Sequence, residues 1–553
     1  MTGSPGSGGD ALIGRDTTAE GLAGPTPEAG GTRAAVHLAR AGLVVSIAFL
    51  ASRVLGWVRL VIIGNGFAPA ELDTFFAAFR LPDLIFQLVA AGAVGSAIIP
   101  IVAGLLATNE RERAWRVVST VVNLMLVALG VLAVILAIVA PAVVRAITPG
   151  FDEIQLARTV ELTRIMLLSP IFLALGAVAT SVLNAGGRFA AAAIAPIVYN
   201  LAIIGAAVFL APSMGVRGLA LGVVCGSLGH LLVQLRGLGR IGFTYQPEVD
   251  VADQQARDAL GLMGPRAVGL GAGQITFVVV TSLASSLGAG AITAYNIAFA
   301  ILQIPIGVIG VPLGVVVFPS LSREVALGRV SEYVGLLTRA LRLLLYVMLP
   351  LGGLLAILRR QAVTLLFGYG RFDAAIIDLT ANALLFFVIG LAAHALIAVL
   401  ARAFYARQDT RTPVGAAILA VVVNTTLATA LVGPLGLGGI ALSIAVAAWI
   451  EALLLLGLLA RRLPGFDLAD LGRVALEAGL GTLIAGAIGL GVLYAIDGLI
   501  GAEPHKLALV AQGILVSVVF GLVYLGLSAA LRIPELPSIV GVMTDLVRRR
   551  GRS

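Results

Sequence analysis

Five charged side chains interrupt apolar sequence near the start of the chain, in a pattern suited to binding an anion. Arg53 and Arg59 lie in one apolar stretch, and Asp73, Arg80 and Asp83 lie in the next. A charge inside a membrane span costs at least ~2.5–3.5 kcal/mol, so each of these groups needs water or a partner. Three guanidiniums against two carboxylates leave an excess of positive charge, which favours an anionic ligand.

The spacing of the first two arginines indicates a large ligand. Six residues of helix separate Arg53 from Arg59 by ~9 Å along the axis and ~120° around it. One ligand of phosphate or sugar size can therefore touch both only from inside a broad cavity. The alternative is structural, with Arg53 paired to Asp73 or Asp83 so that the charges fix two helices against each other, and with Arg80 extending toward water.

Later in the chain, two titratable groups in apolar sequence each have two interpretations. Glu451 is a candidate coupling carboxylate or the buried partner of a loop arginine, and His394 is a proton relay or a hydrogen-bonded core histidine. The single cysteine, Cys225, gives neither a disulfide framework nor a cysteine metal site. No catalytic, metal-binding or nucleotide-binding motif occurs, so we expect no enzyme activity, no cofactor and no metal.

The composition places these residues in a polytopic membrane protein. Of 553 residues, 59% are hydrophobic and 12% charged, and the mean hydropathy is +1.04. A soluble core could not hide that much apolar surface. The net charge of +8 falls in short clusters between apolar runs and forms no continuous basic face, which argues against nucleic-acid binding.

Fourteen runs are long enough to cross ~30 Å of hydrocarbon as helices. The predicted spans are 41–64, 74–105, 117–145, 159–183, 190–211, 215–235, 262–288, 291–318, 333–357, 377–405, 412–432, 436–460, 474–495 and 506–530.

The loops between these spans alternate in charge. If the N-terminus is cytoplasmic, the basic segments, such as 109–116, 236–240 and 547–552, lie inside, and the outer segments are acidic or nearly neutral. The positive-inside rule then predicts that both termini are cytoplasmic. One pair disagrees, because Arg359 and Arg360 fall near an outer end, where we expect them to snorkel.

The chain also contains a weak internal repeat with an offset of about 220 residues. Residues 71–100 match 291–320, which pairs Asp73 with Thr293, and residues 184–200 match 405–424. Six helices per half make the repeat parallel, and such bundles commonly hold a site between the halves. The predicted fold is therefore an all-α polytopic membrane protein, with two six-helix lobes as a parallel pseudo-repeat plus two C-terminal helices. The predicted boundaries are 1–35 for a disordered cytoplasmic tail, 36–245 and 246–461 for the lobes, 462–532 for the last two helices and 533–553 for a basic cytoplasmic tail.

A series of short motifs resembles one known family. The motifs SRVLGWVR, DTFFAAFRLPDL, GAVGSAIIP, TPGF, LNAGGRF, GPRAVGLGAGQI, GVPLGVVVFPSLS, LFGYGRF and FYARQDTRTPV occur in that order between about residues 40 and 530. Each is weak alone, but together they resemble the MurJ (MviN) family of lipid II flippases. That family belongs to the multidrug/oligosaccharidyl-lipid/polysaccharide exporters, whose fold of fourteen helices in two lobes agrees with the count above.

The resemblance implies a transport function in peptidoglycan synthesis. Lipid II, an undecaprenyl pyrophosphate with a disaccharide-pentapeptide, would move from the inner to the outer leaflet of the bacterial cytoplasmic membrane by alternating access. It also implies lipid II, membrane lipids and the cell-wall synthesis machinery as partners. In the family, arginines at the positions of Arg53 and Arg59 line the central cavity, and Asp73 matches an acid near the outer end of the second helix. With Arg80 and Asp83 these residues form the predicted substrate-binding set.

Several positions depart from the family pattern. Relatives of the proteobacterial type have an arginine where Phe86 stands, an acid where Ala91 stands, and an Asp-Arg pair where Phe299 and Ala300 stand. Arg80 and Arg266 are available to take the place of the missing arginines. The departures leave open a different polyprenyl-linked glycan as substrate, a cation-coupled drug antiporter of the same fold, or a scaffold.

Overall fold

The structure is a computed structural model that describes residues 27–89, 94–500 and 506–537, and only the backbone for residues 27–44, 89, 96, 262–272 and 498–500. Within these ranges all regular secondary structure is helical. The helices are α1 (Pro27–Gly66), α2 (Pro69–Val89), α3 (Gly95–Ala107), α4 (Arg111–Ile147), α5 (Glu153–Met166), α6 (Ser169–Ala185), α7 (Phe189–Gly205), α8 (Ala211–Met214), α9 (Val216–Arg240), α10 (Gln254–Ser285), α11 (Ala291–Pro305), α12 (Val311–Ala326), α13 (Val330–Ile357), α14 (Arg359–Phe367), α15 (Ala374–Ile389), α16 (Leu391–Ala406), α17 (Arg411–Leu435), α18 (Leu437–Arg462), α19 (Leu468–Ile500) and α20 (Lys506–Ala530).

The prediction of an all-α polytopic membrane protein is confirmed. Among the described residues, eleven helical segments are long and apolar enough to cross a membrane, and the pair α15 and α16, bent by 46°, makes twelve. Each predicted span coincides with a helix or a helix pair. The predicted second span contains α2 and α3, with residues 90–93 between them outside the described ranges, and α2 carries several charges. In α10, the side chains of residues 262–272 lie outside the described part of the chain. The apolar segment that remains, Gly273–Ser285, is too short by itself to cross a membrane. The count of fourteen therefore stays a prediction.

Proline and glycine determine where the long helices change direction. Pro305 ends α11, and a π-helical turn, Ile306–Gly310, joins it to α12. A π turn adds one residue to the helical repeat and shifts the faces on either side of it. At the bend between α15 and α16, a Cβ on Gly390 would lie 2.8 Å from the Cα of Ala445. Only glycine allows the two backbones to approach that closely.

Three turns in the first half have counterparts about 220 residues later. The residues with positive φ include Asn109 and Gly328, Gly187 and Gln408, and Gly215 and Gly436. Gly215 has φ 60° and ψ −142°, and Gly436 has φ 56° and ψ −134°. This conformation is essentially restricted to glycine. The turns that precede α9 and α18 therefore have the same backbone shape.

The two halves of the chain contact each other at one end of the bundle, which we call the tied end and define by residues 64–73, 290–293 and 366–371. The Asn65 amide donates to the carbonyl oxygen of Leu366 at 3.1 Å, and its oxygen accepts from the amide of Tyr369 at 3.0 Å. Arg371 lies 3.7 Å from Glu71. Hydrogen bonds and an ion pair thus join α1 and α2 to the segment around α14.

The segment that connects the halves lies along α4. The backbone amide of Gln246 donates to Ser119 and that of Asp250 to Thr120, each at 3.0 Å. At the start of α10, Asp253 accepts a hydrogen bond from Arg113 at 2.8 Å, which holds the pKa of this carboxyl below its usual range. The connection is therefore attached to the first half up to the beginning of α10.

Candidate functional site

A cavity of about 310 Å³ lies within the first half of the chain. Five helices surround it, namely α1, α2, α6, α7 and α9. Its lining combines one guanidinium, one carboxylate, one imidazole and several aromatic or small side chains: Arg59, Phe79, Pro82, Asp83, Phe86, Ser169, Leu173, Pro196, Tyr199 and His230. Charged and hydrogen-bonding groups in an otherwise apolar cavity are typical of a ligand site.

Arg59 carries the positive charge of this cavity. Its guanidinium carbon lies 5.8 Å from the ring centre of Tyr199, within range of a cation–π interaction. In the described part of the chain Arg59 forms no hydrogen bond and no ion pair within 4.0 Å, not even with Asp83 in the same cavity. Its five N–H donors therefore remain available to a ligand.

His230 is held in the cavity by a polar network on α6 and α9. The side-chain amide of Gln234 lies 3.4 Å from His230 Nδ1 and donates to the carbonyl oxygen of Gly176 at 3.2 Å. Thr180 donates to the amide oxygen of Gln234 at 2.8 Å. A Cβ on Gly176 would overlap the imidazole, so the glycine makes room for the ring. The network fixes the position of the histidine.

Arg53 lies outside this cavity and reaches the second half of the chain. Its side chain is exposed, and Nη1 donates to the carbonyl oxygen of Gly307 at 3.0 Å. The guanidinium also lies 5.0 Å from the ring centre of Phe49. The two predicted ligand arginines thus occupy different places, one within the first half and one between the halves.

Arg80 joins α2 to the second half. Its Nε donates to the Thr281 hydroxyl at 2.9 Å, and Nη2 donates to Asn296 Oδ1 at 2.8 Å. The guanidinium carbon lies 5.3 Å from the ring centre of Phe277. These two hydrogen bonds hold the guanidinium against α10 and α11, so Arg80 is placed as a link between helices.

Asp73 is buried at the tied end and caps α11. Its carboxylate accepts from the amide of Gly290 at 2.5 Å, and from the amide and hydroxyl of Thr293 at 2.7 Å each. A carboxylate at a helix N-terminus is stabilised by the free amides and by the helix dipole. Asp73 and Thr293 are the residues that the repeat pairs with each other. The carboxylate lies away from the cavity of Arg59.

Glu451 and Arg266, the two further candidates for the site, have no described contact with the cavity of Arg59. Glu451 is half-buried on α18 and has no hydrogen bond or ion pair with any residue of the described ranges. The side chain of Arg266, on α10, lies outside the described residues, as does Ala91. The ion pairs considered as an alternative, between Arg53 and Asp73 or Asp83, do not occur.

The departures from the family pattern fall on aromatic surroundings. Phe86 lines the cavity of Arg59. The ring centre of Phe299 lies 5.9 Å from that of Tyr295, 5.6 Å from Phe277 and 5.7 Å from Phe387. Ring centres at these separations attract each other. An aromatic cluster therefore surrounds Phe299, one of the two positions where the resemblance implied an Asp-Arg pair.

Sequence reasoning missed Ser169, Tyr199 and His230. Among the described residues no group of three or more His, Cys, Asp or Glu could hold a metal ion. A signal for His230 was present, because an imidazole in an apolar helix is uncommon and His394 was singled out on the same ground. Ser169 and Tyr199 carry no signal of their own, because packing alone brings them to Arg59.

Comparison with known proteins gives one consistent family. The family model described as "Lipid II flippase MurJ" matches residues 65–504. The lipid II flippase MurJ of Burkholderia cenocepacia is 34% identical over 429 residues, which cover 76% of this chain and 83% of that protein. The probable lipid II flippase MurJ of Rhizobium tropici is 32% identical over 437 residues, covering 77% and 82%.

Solved structures agree in fold. A lipid II flippase MurJ in an inward closed conformation superimposes with a TM-score of 0.74 at 23% identity, covering 88% of this chain and 98% of that one. An inward-facing MATE family multidrug resistance transporter gives a TM-score of 0.65 at 16% identity, covering 78% and 98%. The matched family model extends over most of the chain. This chain belongs to the MurJ family of lipid II flippases.

Proposed function

We propose that this protein moves lipid II from the inner to the outer leaflet of the bacterial cytoplasmic membrane. The observation that carries the proposal is the unpaired guanidinium of Arg59 in a cavity of about 310 Å³ inside the membrane bundle. The named function of the relatives from Burkholderia cenocepacia and Rhizobium tropici supports the same substrate. As a multi-pass member of a flippase family, the chain is a transporter and not an enzyme.

The chemistry of lipid II fits the arginines. Its pyrophosphate and peptide carboxylates are oxyanions, which guanidinium groups bind through two parallel hydrogen bonds. Arg59 forms no competing ion pair within the described chain, so its fork is free to make such bonds. Arg53 uses Nη1 for Gly307 and retains Nε and Nη2. In this proposal Arg59 binds the anionic head and Arg53 contacts it at the opening between the halves.

The transport cycle we propose uses the two halves as lobes that move around the site. Residues 36–245 form one lobe, residues 246–461 the other, and residues 462–532 add two helices outside the repeat. The paired turns about 220 residues apart, at Gly215 and Gly436 among others, support a parallel repeat. The hydrogen bonds at the tied end close one side of the interface. Alternating access then requires those bonds to open.

The orientation we propose places both termini in the cytoplasm and the tied end outside. At the tied side of the bundle, the arginines with a carboxylate within 4.0 Å are Arg145, Arg158, Arg217, Arg360 and Arg371. Arg360, which the loop pattern left as an exception, is neutralised by Asp378 at 2.9 Å. At the opposite side, Arg111, Arg188 and Arg240 have no such partner in the described residues. A net positive charge on one side supports its assignment to the cytoplasm.

The second candidate function is cation-coupled drug antiport, because the chain shares its fold with a MATE family transporter. A cation-coupled drug antiporter should have a cavity dominated by carboxylates. In the cavity of Arg59 the sole carboxylate among the lining residues is Asp83. The positive charge of Arg59 beside it favours an anionic substrate. Phe86 and Phe299 stand where the resemblance implied charged residues. The alternative substrate, a glycan on another polyprenyl carrier, rests on these departures.

The test is growth of flippase-depleted bacteria that express variants of this chain. We expect Arg59→Ala and Arg53→Ala to abolish growth at normal membrane abundance, and the lysine variants to impair it, because lysine keeps the charge and loses the fork. Arg217→Ala is the matched control, since Arg217 pairs with Glu161 at 2.8 Å on the surface and should tolerate the change. Full growth with both alanine variants would overturn the assignment of these residues. Failure of the unmodified chain to support growth would instead count against lipid II as the substrate.

A further inference from the structure

A second cavity, far from the carboxylate of Asp73 and the tied end, has a different chemistry. Its volume is about 510 Å³. The ends of α3, α4, α6, α7 and α9 surround it. We call it the basic cavity, and its lining residues are Leu106, Arg111, Gly186, Arg188, Gly239, Arg240, Ile241 and Gly242.

The three arginines of the basic cavity have no counter-charge. Across the described ranges, Arg111, Arg188 and Arg240 form neither an ion pair within 4.0 Å nor a side-chain hydrogen bond. Two carboxylates adjoin Arg111 in sequence. Glu110 accepts instead from Thr108 at 2.8 Å and from Arg113 at 3.2 Å, and Glu112, in the first turn of α4, forms no ion pair within 4.0 Å with Arg111. Three like charges from three separate chain segments therefore line one cavity without compensation.

The backbone adds to the positive potential. Helix α4 begins at Arg111, and α7 begins directly after Arg188 without a side-chain cap. The N-terminus of a helix carries a partial positive charge, so arginine is unfavourable there unless an anion is present. A Cβ on Gly187 or Gly242 would meet nothing within 4 Å, so open space adjoins the glycine backbone. The site has the charge and the room for a phosphate group.

An apolar cavity begins close to the basic one. It measures about 200 Å³, and α9 contributes Leu231, Leu235 and Leu238 to its lining, followed by Phe243. A Cβ on Gly186, in the lining of the basic cavity, would lie 3.4 Å from the side chain of Ile241 in the same lining and 3.4 Å from the carbonyl oxygen of Val182, which lines the apolar cavity. The linings of the two cavities therefore meet at Gly186. A ligand that fills both is an amphiphile with an anionic head.

We propose that the basic cavity binds the phosphate headgroup of an anionic phospholipid, with part of an acyl chain in the adjacent apolar cavity. Basic clusters at a membrane surface attract anionic lipids. This site is separate from the cavity of Arg59, where the transported head would bind. The ligand is a resident lipid and not the cargo.

The experiment measures lipid binding to the purified full-length chain in a neutral detergent, by native mass spectrometry and by the shift in thermal unfolding. The probes are phosphatidylglycerol, phosphatidylcholine, glycerophosphoglycerol and inorganic phosphate. We expect phosphatidylglycerol to bind and to raise the unfolding temperature, and phosphatidylcholine to do neither. The triple variant Arg111→Gln, Arg188→Gln and Arg240→Gln should lose phosphatidylglycerol binding by roughly 100-fold, as three surface cations contribute about fivefold each.

The matched control is Arg236→Gln, on the same helix α9 and outside the lining of the cavity, which should bind the lipid like the unmodified chain. The three single variants are measured as well, and each should lose affinity. Unchanged phosphatidylglycerol binding in the triple variant would overturn the proposal. Binding of inorganic phosphate or glycerophosphoglycerol as tight as that of the lipid would also overturn it, in favour of a soluble phosphate ligand.

Discussion

Asp73 shows how one carboxylate can hold two halves of a chain together. It is buried on α2, and its acceptor bonds go to Gly290 and Thr293 at the start of α11. Each bond satisfies a donor that the first turn of a helix leaves without an internal partner. Because the acceptor and the helix belong to different halves, the cap also acts as an inter-half contact.

We expect Asp73→Asn to destabilise the protein. The amide keeps one acceptor oxygen and loses the charge, so removal of this cap should cost about 1–2 kcal/mol. Thermal unfolding in detergent measures the loss, and Thr293→Val, which removes the hydroxyl, should add less to Asp73→Asn than to the unmodified chain. The matched control is Asp152→Asn, which alters a cap within the first half, where Asp152 accepts from Gln155 at 2.7 Å. Loss of transport with unchanged stability would assign Asp73 to the substrate instead.

Of the five charged residues predicted to bind the substrate, Arg59 and Asp83 line the cavity. The other three contact the second half of the chain, namely Arg53, Asp73 and Arg80. Arg53 and Arg59 were recognisable because a guanidinium in apolar sequence needs a reason to be there. Their separation of about 120° around α1 predicted a broad cavity in which one ligand touches both. In the structure the two side chains have different neighbours, Gly307 and Tyr199. His230 and Ser169 were missed, because their proximity to Arg59 depends on how α6 and α9 pack against α1.

At the scale of elements, the π turn after α11 is one of two places in the described chain where α1 is hydrogen-bonded to the second half, the other being Asn65 at the tied end. Ile306–Gly310 carries the carbonyl oxygen that accepts from Arg53. Gly307 leaves the space that the guanidinium occupies, since a Cβ there would overlap Arg53 Nη1. The glycine and the arginine therefore form one contact, in which the side chain fills the volume that the glycine leaves.

Gly307→Ala should accordingly displace Arg53 and impair transport as Arg53→Ala does. Arg53 is the far end of a flexible side chain, so it can move away, and we expect normal abundance in the membrane. Growth of flippase-depleted cells measures the effect. Gly415→Ala on α17 is the control, because a Cβ there meets nothing within 4 Å. Normal growth with Gly307→Ala would show that the position of Arg53 is not needed.

The long elements followed from the sequence, and the short connections did not. The predicted span 506–530 coincides with α20, and the predicted span 291–318 contains α11, the π turn and the first half of α12. Hydropathy reports such spans because lipid contact demands apolar side chains over their whole length. The short helix α14 and the segment 243–250 along α4 are positioned by hydrogen bonds with distant residues, and no pattern within their own sequence encodes those partners.

At the scale of the whole molecule, the arrangement of charge predicts which side faces the cytoplasm. Ser213, in the short helix α8, and Ser331, at the start of α13, are exposed at opposite ends of the bundle and can both be replaced by cysteine. In a Cys225→Ser background, a membrane-impermeant thiol reagent added to intact cells should label Ser213→Cys and leave Ser331→Cys unlabelled until the membrane is permeabilised. The reverse pattern would invert the proposed orientation.

The tied end provides a test of movement between the halves. Glu71 and Arg371 lie 3.7 Å apart there, on segments from different halves, and Arg371 is exposed. If transport requires the tied end to open toward the outside, a short bifunctional thiol reagent that joins Glu71→Cys to Arg371→Cys should stop growth of cells that depend on this chain. The Cys225→Ser background removes the native thiol, and a monofunctional reagent of similar size, which blocks both cysteines without joining them, should leave growth intact. Each single cysteine variant treated with the bifunctional reagent should also grow. Continued growth with the two cysteines quantitatively cross-linked would mean that the halves need not separate at this end, and the proposed cycle of lobes rocking about the cavity of Arg59 would be wrong.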